Sequence, residues 1–278
     1  MNLGKSQHKA VRVTSMNQFV EIVTRYRDDW IEESSSYFEP WFRGQMNEGR
    51  VLEPTIFRNL QLLDDEDDLR DQFRRRAPQH MTETPPQDYW SWYFLMQHYG
   101  APTRLLDWTD SALVALFFAL NGDDWLPKDE YDAAVWMLDP WWLNRTVIDE
   151  DSISQPNSRA AQVYLSETFV SIDSERRTVI QPEFPISIDP PHIARRIAVQ
   201  RSHFTIFGYK STGLMELWQR NDARILKIII AKESAPRLRA DLTTLGVTDT
   251  SIYPDLRGLA YEVTRYYIGD WPPEPYPD

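Results

Sequence analysis

"LMQHYGAPTRLLDWTDSALVALFFALNG", residues 95–122, sets His98, Arg104 and Asp107 within ten residues, between an aromatic run and an aliphatic run. The upstream part, "PPQDYWSWYFLMQHYG", reads as a helix with Pro86 near its first position and Gly100 as its C-terminal cap. The downstream part predicts a second helix from about Ser111 to Leu120, capped by Thr109 or Asp110. Gln97 and His98 then close the first helix, Thr103 and Arg104 occupy the connection, and Asp107 stands at or near the cap of the second. Gly100 and Pro102 restrict the path of this short connection, so all five polar side chains can converge in one small volume. The competing reading is structural: an Arg104–Asp107 pair staples the loop, and His98 is a satisfied core histidine.

Outward from this block, "SMNQ" (15–18) has the form of a capping box. Phe19, Val23, Tyr26 and Trp30 follow at helical spacing, and "EESSS" ends that helix. "YFEPWFRG" reads as an aromatic strand closed by Gly44. "DDEDDLRDQFRRRAP" places acids before arginines, as the helix dipole prefers, and reads as a solvated amphipathic helix. Residues 133–139, 196–208 and 224–231 read as strands, and 235–247 and 254–269 as helices. Pro156, Pro182, Pro185, Pro190 and Pro191 mark a loop-rich middle. Strands and helices interleave irregularly, which predicts an α+β fold: a mixed, mostly antiparallel sheet with flanking helices.

Composition narrows the function. The 278 residues are 42% hydrophobic and 13% aromatic, too apolar for a disordered chain. A net charge of −12 argues against a protein that coats nucleic acid nonspecifically, because that affinity comes from neutralising phosphates. A small anionic ligand held by a few buried arginines remains compatible, since local fields dominate at short range. With no cysteine there are no disulfides, thiolate zinc sites or cysteine nucleophiles. The start lacks the apolar core of a signal peptide, and the longest apolar run, 112–120, is too short to span a bilayer. A cytoplasmic protein without a membrane partner is the expectation.

Further candidates lie outside the central block. "WFRGQ" puts Arg43 inside an aromatic strand, where a buried cation needs an acid or an anionic ligand. Arg58, in "EPTIFRN", repeats the pattern, and the guanidinium fork suits phosphate and carboxylate alike. Gln200, in "AVQRSHF", is an amide in a strand-like setting that needs a partner. The five histidines show no established metal-ligand spacing. GxSxG, GxxxxGK[ST] and GxGxxG are all missing, which argues against common hydrolases, P-loop enzymes and Rossmann dehydrogenases.

"WFRG" (41–44), "LMQHYGAPTRLLDWT" (95–109) with "ALVALFFAL" (112–120), "RIAVQRSHFTIF" (196–207) and "SIYPDLRGLA" (251–260) resemble the FRG-domain family. They occur in the family's order from about Trp41 to Ala260, so residues 1–40 read as an added helical segment and 41–278 as the FRG domain. The resemblance implies bacterial or phage stress and defence contexts. It also implies a distant similarity to ADP-ribosyltransferases, in which a first-strand arginine helps to hold NAD and a later strand supplies a catalytic glutamate. Arg43 matches the first feature. Gln200 and Ser202 stand where the later strand is expected, and no glutamate is there.

Three functions follow. In an NAD-using ADP-ribosyltransferase-like enzyme, Arg43, Arg58 or Arg104 would hold phosphate. Gln97, Thr103 and Gln200 would complete the ligand site, Asp107 would stabilise developing positive charge, and His98 would orient a ribose hydroxyl. The acceptor would be a protein or a nucleic acid. In a noncatalytic module the same arginines would sense a nucleotide or a partner protein. In a hydrolase or nuclease, His98 and Asp107 would activate water.

Overall fold

The computed structural model describes residues 9–34, 38–81, 84–121, 130–165, 170–173, 176–179, 182–190 and 201–268. Within them the chain runs β1 (Ala10–Val13), α1 (Met16–Ser34), β2 (Trp41–Gln45), α2 (Leu60–Asp64), α3 (Glu66–Arg76), α4 (Tyr89–His98), β3 (Leu105–Thr109), α5 (Ala112–Asn121) and β4 (Ala133–Leu138). It continues with α6 (Pro140–Ile148), α7 (Arg159–Leu165), β5 (Val170–Asp173), β6 (Arg176–Val179), β7 (Ile186–Ile188), β8 (Ser202–Ile206) and β9 (Ile225–Ile230). A short helix, Gly213–Trp218, precedes β9, and helices Ala235–Thr244, Asp249–Ile252 and Leu256–Ile268 follow it.

Seven strands form one mixed sheet in the order β1-β9-β4-β2-β3-β8-β7, and β5 pairs with β6 separately. Only β1 and β9 run parallel; the other pairs in the large sheet are antiparallel. The fold is α+β, as the irregular interleaving predicts.

Side-chain alternation assigns the two faces. Phe42, Val135, Met137, Leu226, Ile228 and Ile230 point to one face and pack with Phe19 and Trp30 of α1 and Leu116 of α5. Trp41, Leu106, Trp108, Trp136 and Leu138 point to the other, against Trp142 of α6 and Leu214. A third cluster seats Trp90, Tyr93 and Phe94 of α4 on β7 and β8. The α5 sequence is apolar nearly all round because it lies in the core rather than on the surface. The N-terminal β1 and α1 share this sheet and core with the rest of the described chain.

Several local expectations change. The "LLDWT" stretch is strand β3, in the interior of the sheet, rather than part of a connection. Asp107 is therefore mid-strand and caps no helix. The α5 cap is Ser111, whose Oγ accepts from Val114 N at 3.4 Å, while Thr109 Oγ1 accepts from Ser111 N at 3.2 Å. The α4 cap is Asp88, accepting from Ser91 N at 2.9 Å, with Pro86 outside the helix. Gly100 does end α4: at φ +80° it lets Ala101 N reach Met96 O and its own N reach Gln97 O, both at 3.0 Å. Nor is α3 merely solvated, since Glu66 and Arg70 are buried.

Candidate functional site

The motif "WFRG" acts through two neighbouring residues with opposite demands. Gly44 lies against α5, where an added Cβ would collide with the Ala115 carbonyl oxygen and the Ala119 amide. Only glycine lets β2 press this closely onto the helix. β2 and β3 share just one register pair, Phe42↔Thr109. A continued antiparallel ladder would set Gly44 opposite Asp107, but the strands part first. Each keeps its outer neighbour, β4 for β2 and β8 for β3, so the sheet opens along a seam inside itself.

Arg43 bridges that seam. Its Nη1 donates to the Asp107 carbonyl at 2.8 Å and lies 3.8 Å from Asp107 Oδ2. A side chain thus satisfies a strand carbonyl that the broken ladder leaves open. The Arg43 side chain is 23% exposed and that of Asp107 51%, so the pair stands at a solvent-reached wall rather than in the core.

A hydrogen-bond chain orients Asp107 from the other side. Leu105 N donates to Thr103 Oγ1 at 3.1 Å, and that hydroxyl donates to Gln97 Oε1 at 2.5 Å. With its oxygen so engaged, Gln97 turns its Nε2 toward Asp107 Oδ2, 2.7 Å away. The Schellman turn at Gly100 places Gln97 for this contact. Thr103 is fully buried and acts through Gln97 rather than facing a ligand.

The seam opens into a cavity of about 650 Å³. Arg43, Arg50 and Arg58 lie on its lining with Gln97, His98 and Asp107; Phe118, Tyr131 and Tyr253 supply aromatic surface. Tyr253 packs edge-on against Phe118 at 6.3 Å. An added Cβ at Gly258 would overlap the Tyr253 carbonyl oxygen, so this glycine is what allows the final helix to close against Tyr253. The segment "SIYPDLRGLA" therefore contributes a cleft wall. Arg50, Tyr131, Phe118 and Tyr253 were not among the residues singled out from sequence.

The predicted residues separate. Arg43, Arg58, Gln97, His98 and Asp107 come together on the cavity, and Thr103 supports them from beneath. Gln200 lies outside the described residues. Arg104 is not on the cavity lining and forms no staple to Asp107. It donates from Nε to Glu66 Oε2 at 2.7 Å, from Nη1 to Phe207 O at 3.1 Å and from Nη2 to Tyr164 O at 2.5 Å. Tyr93 joins this network by donating to Glu66 and accepting from Arg104 N. Burial opposes the charge on Arg104, but Tyr93 and Glu66 more than offset it and its pKa is raised. Arg104 thus ties α3, α4, α7 and the residue that follows β8 together and is spent on structure.

A second ionisable cluster lies beside the seam. His203 of β8 stacks on Trp41, with ring centroids 4.6 Å apart. Its Nδ1 is 2.8 Å from Asp189 Oδ1, and its Nε2 is 3.7 Å from Asp110 Oδ2. Burial disfavours its charge, yet hydrogen bonding to the two acids prevails and lifts the pKa to about 9. Among the described residues no group of three or more His, Cys, Asp or Glu is placed to hold a metal ion. No helix there is long and apolar enough to cross a membrane.

Residues 39–125 match the family model of the FRG domain. The chain carries an FRG domain over that span, which begins just before β2 and contains all of β3 and α5. Arg43, Arg50, Arg58, Gln97, His98 and Asp107 all fall inside it, whereas Tyr131 and Tyr253 come from outside. No curated protein and no solved structure matches the chain.

Proposed function

We propose that the cleft between β2 and β3 binds a nucleotide, with NAD as the ligand, and that the protein is an ADP-ribosyltransferase-like member of a bacterial or phage stress or defence system. One observation carries the binding reading: a cavity of about 650 Å³ gathers three arginines and an aromatic wall around a carboxylate–amide pair, in a chain of net charge −12. Guanidinium groups suit phosphate, aromatic faces suit a base, and Asp107 with Gln97 suits ribose hydroxyls.

The transfer step follows from this placement. The bond from ribose C1 to the nicotinamide nitrogen breaks, and its electron pair leaves with neutral nicotinamide. Asp107 faces the positive charge that develops on the ribose. An acceptor nucleophile on a protein or nucleic acid then bonds to C1 and releases its proton, while His98 orients a ribose hydroxyl.

A second reading, a noncatalytic nucleotide sensor, is favoured by the commitments of Asp107, whose Oδ2 already accepts from Gln97 and lies near Arg43. NAD labelled in nicotinamide separates the two readings. Release of labelled nicotinamide supports transfer, binding without release supports the sensor, and no binding ends both.

A further inference from the structure

The arginines on the cleft are not equivalent. Arg43 donates to the carbonyl of Asp107 and lies 3.8 Å from its carboxylate, so it already has a partner across the seam. Arg50 and Arg58 line the same cavity, are exposed, and form no ion pair or side-chain hydrogen bond with any described residue. Both follow β2 on turns of defined shape. Asn47 Oδ1 accepts from Gly49 N at 2.8 Å and Asn47 O from Arg50 N at 3.1 Å, while Pro54 leads into the 3₁₀ turn Thr55–Arg58. The described acids on the lining are Asp107, engaged by Arg43, and Glu130. An anion is drawn to the positive charge that no acid has balanced, which here is the pair Arg50 and Arg58.

We infer that Arg50 and Arg58 together hold a diphosphate, and that Arg43 is a positioning residue that fixes Asp107 across the seam rather than a phosphate ligand. This rests on the nucleotide reading and divides its site. Two separately mounted guanidinium forks match two linked phosphates, where a single phosphate would satisfy one of them. The diphosphate lies toward the 46–58 segment, and the sugar it carries lies toward Asp107 and Gln97.

Calorimetric titrations of the full chain with inorganic pyrophosphate, AMP, ADP and NAD test the division, on the wild type, Arg50→Ala, Arg58→Ala, the double variant, Arg43→Ala and Arg43→Lys. Both loop arginines are exposed, so their variants should fold; thermal melts check the Arg43 variants. The wild type should bind ADP more tightly than AMP. Arg50→Ala and Arg58→Ala should each weaken pyrophosphate and NAD by about tenfold. Arg43→Ala and Arg43→Lys should weaken NAD but leave pyrophosphate within about twofold, a split that general loss of structure would not produce. Undiminished NAD binding by the double variant, or equal loss of pyrophosphate and NAD in Arg43→Lys, overturns the assignment while the nucleotide reading stands. Pyrophosphate binding by the wild type without nucleotide binding sinks the nucleotide reading and keeps the diphosphate site. Binding of neither ends both.

Discussion

Arg43 Nη1 sits 2.8 Å from the Asp107 carbonyl oxygen, across the point where β2 and β3 part. The two residues are 64 apart in sequence and lie on neighbouring strands that share one rung. The bond therefore does two jobs: it replaces a missing ladder contact, and it sets a carboxylate on the wall of the only seam within the described sheet.

The seam depends on Gly44. Gly44→Ala should destabilise the protein by about 1–3 kcal/mol or more, because the new methyl meets α5 backbone that cannot rotate away. Chemical denaturation measures this, and an unchanged midpoint would show that β2 is not pinned to α5.

Asp107 should matter less to stability than a helix cap would. It is mid-strand and about half exposed, so Asp107→Ala should cost about 1 kcal/mol or less. Loss of nucleotide binding in a variant that melts close to the wild type would assign Asp107 to the site. A drop of several kcal/mol would make it a structural residue.

The Arg104 network predicts the reverse pattern. Arg104→Met strands the buried Glu66 carboxylate without its cation and should destabilise by about 3–5 kcal/mol. The double change Glu66→Gln with Arg104→Met should recover part of that loss. If Arg104→Met melts normally yet loses nucleotide affinity, Arg104 belongs to the site after all.

His203 gives the fold a defined pH response. Its pKa rises on folding from the ordinary 6.5 to about 9, so the native chain holds a proton that the unfolded chain releases. The resulting stability is complete below about pH 6 and is lost as pH climbs through 9, by up to about 3 kcal/mol before allowance for its partial exposure. His203→Gln should flatten the stability profile between those values. An unaltered profile would mean that His203 is neutral in the native state.

What could be read in the chain followed the strength of the local pattern. Helices α1, α4 and α5 and strands β4 and β9 carry long apolar runs or clear caps, and they fall where the sequence places them, except that α4 begins at Tyr89 rather than near Pro86. β3 does not, because "LLDWT" lies between apolar layers on both faces and lacks a clean alternation of polar and apolar residues. That gap hid the true setting of Asp107. β1 and β7 are only four and three residues long, too short for periodicity to register.

The site shows the same divide. Arg43 was legible because a cation in an aromatic strand demands a partner. Arg104 looked similar, but its partner Glu66 is 38 residues away, inside a helix that reads as solvated. Arg50 carried a weaker signal, an exposed arginine just after an Asn–Glu–Gly turn, and only the tertiary fold places it on the cavity. The cluster of His203 with Asp110 and Asp189 joins β8 to two separate loops, a pairing that no local spacing announces.

The most direct measurement is a calorimetric titration of the folded wild type with NAD, beside the same titration of Arg43→Ala. Saturable binding by the wild type is expected, with an affinity about ten- to hundredfold lower in the variant, because a charged hydrogen bond that positions Asp107 is removed. A wild type that binds no NAD would contradict the nucleotide reading, and equal affinities would contradict the role given to the Arg43 bridge.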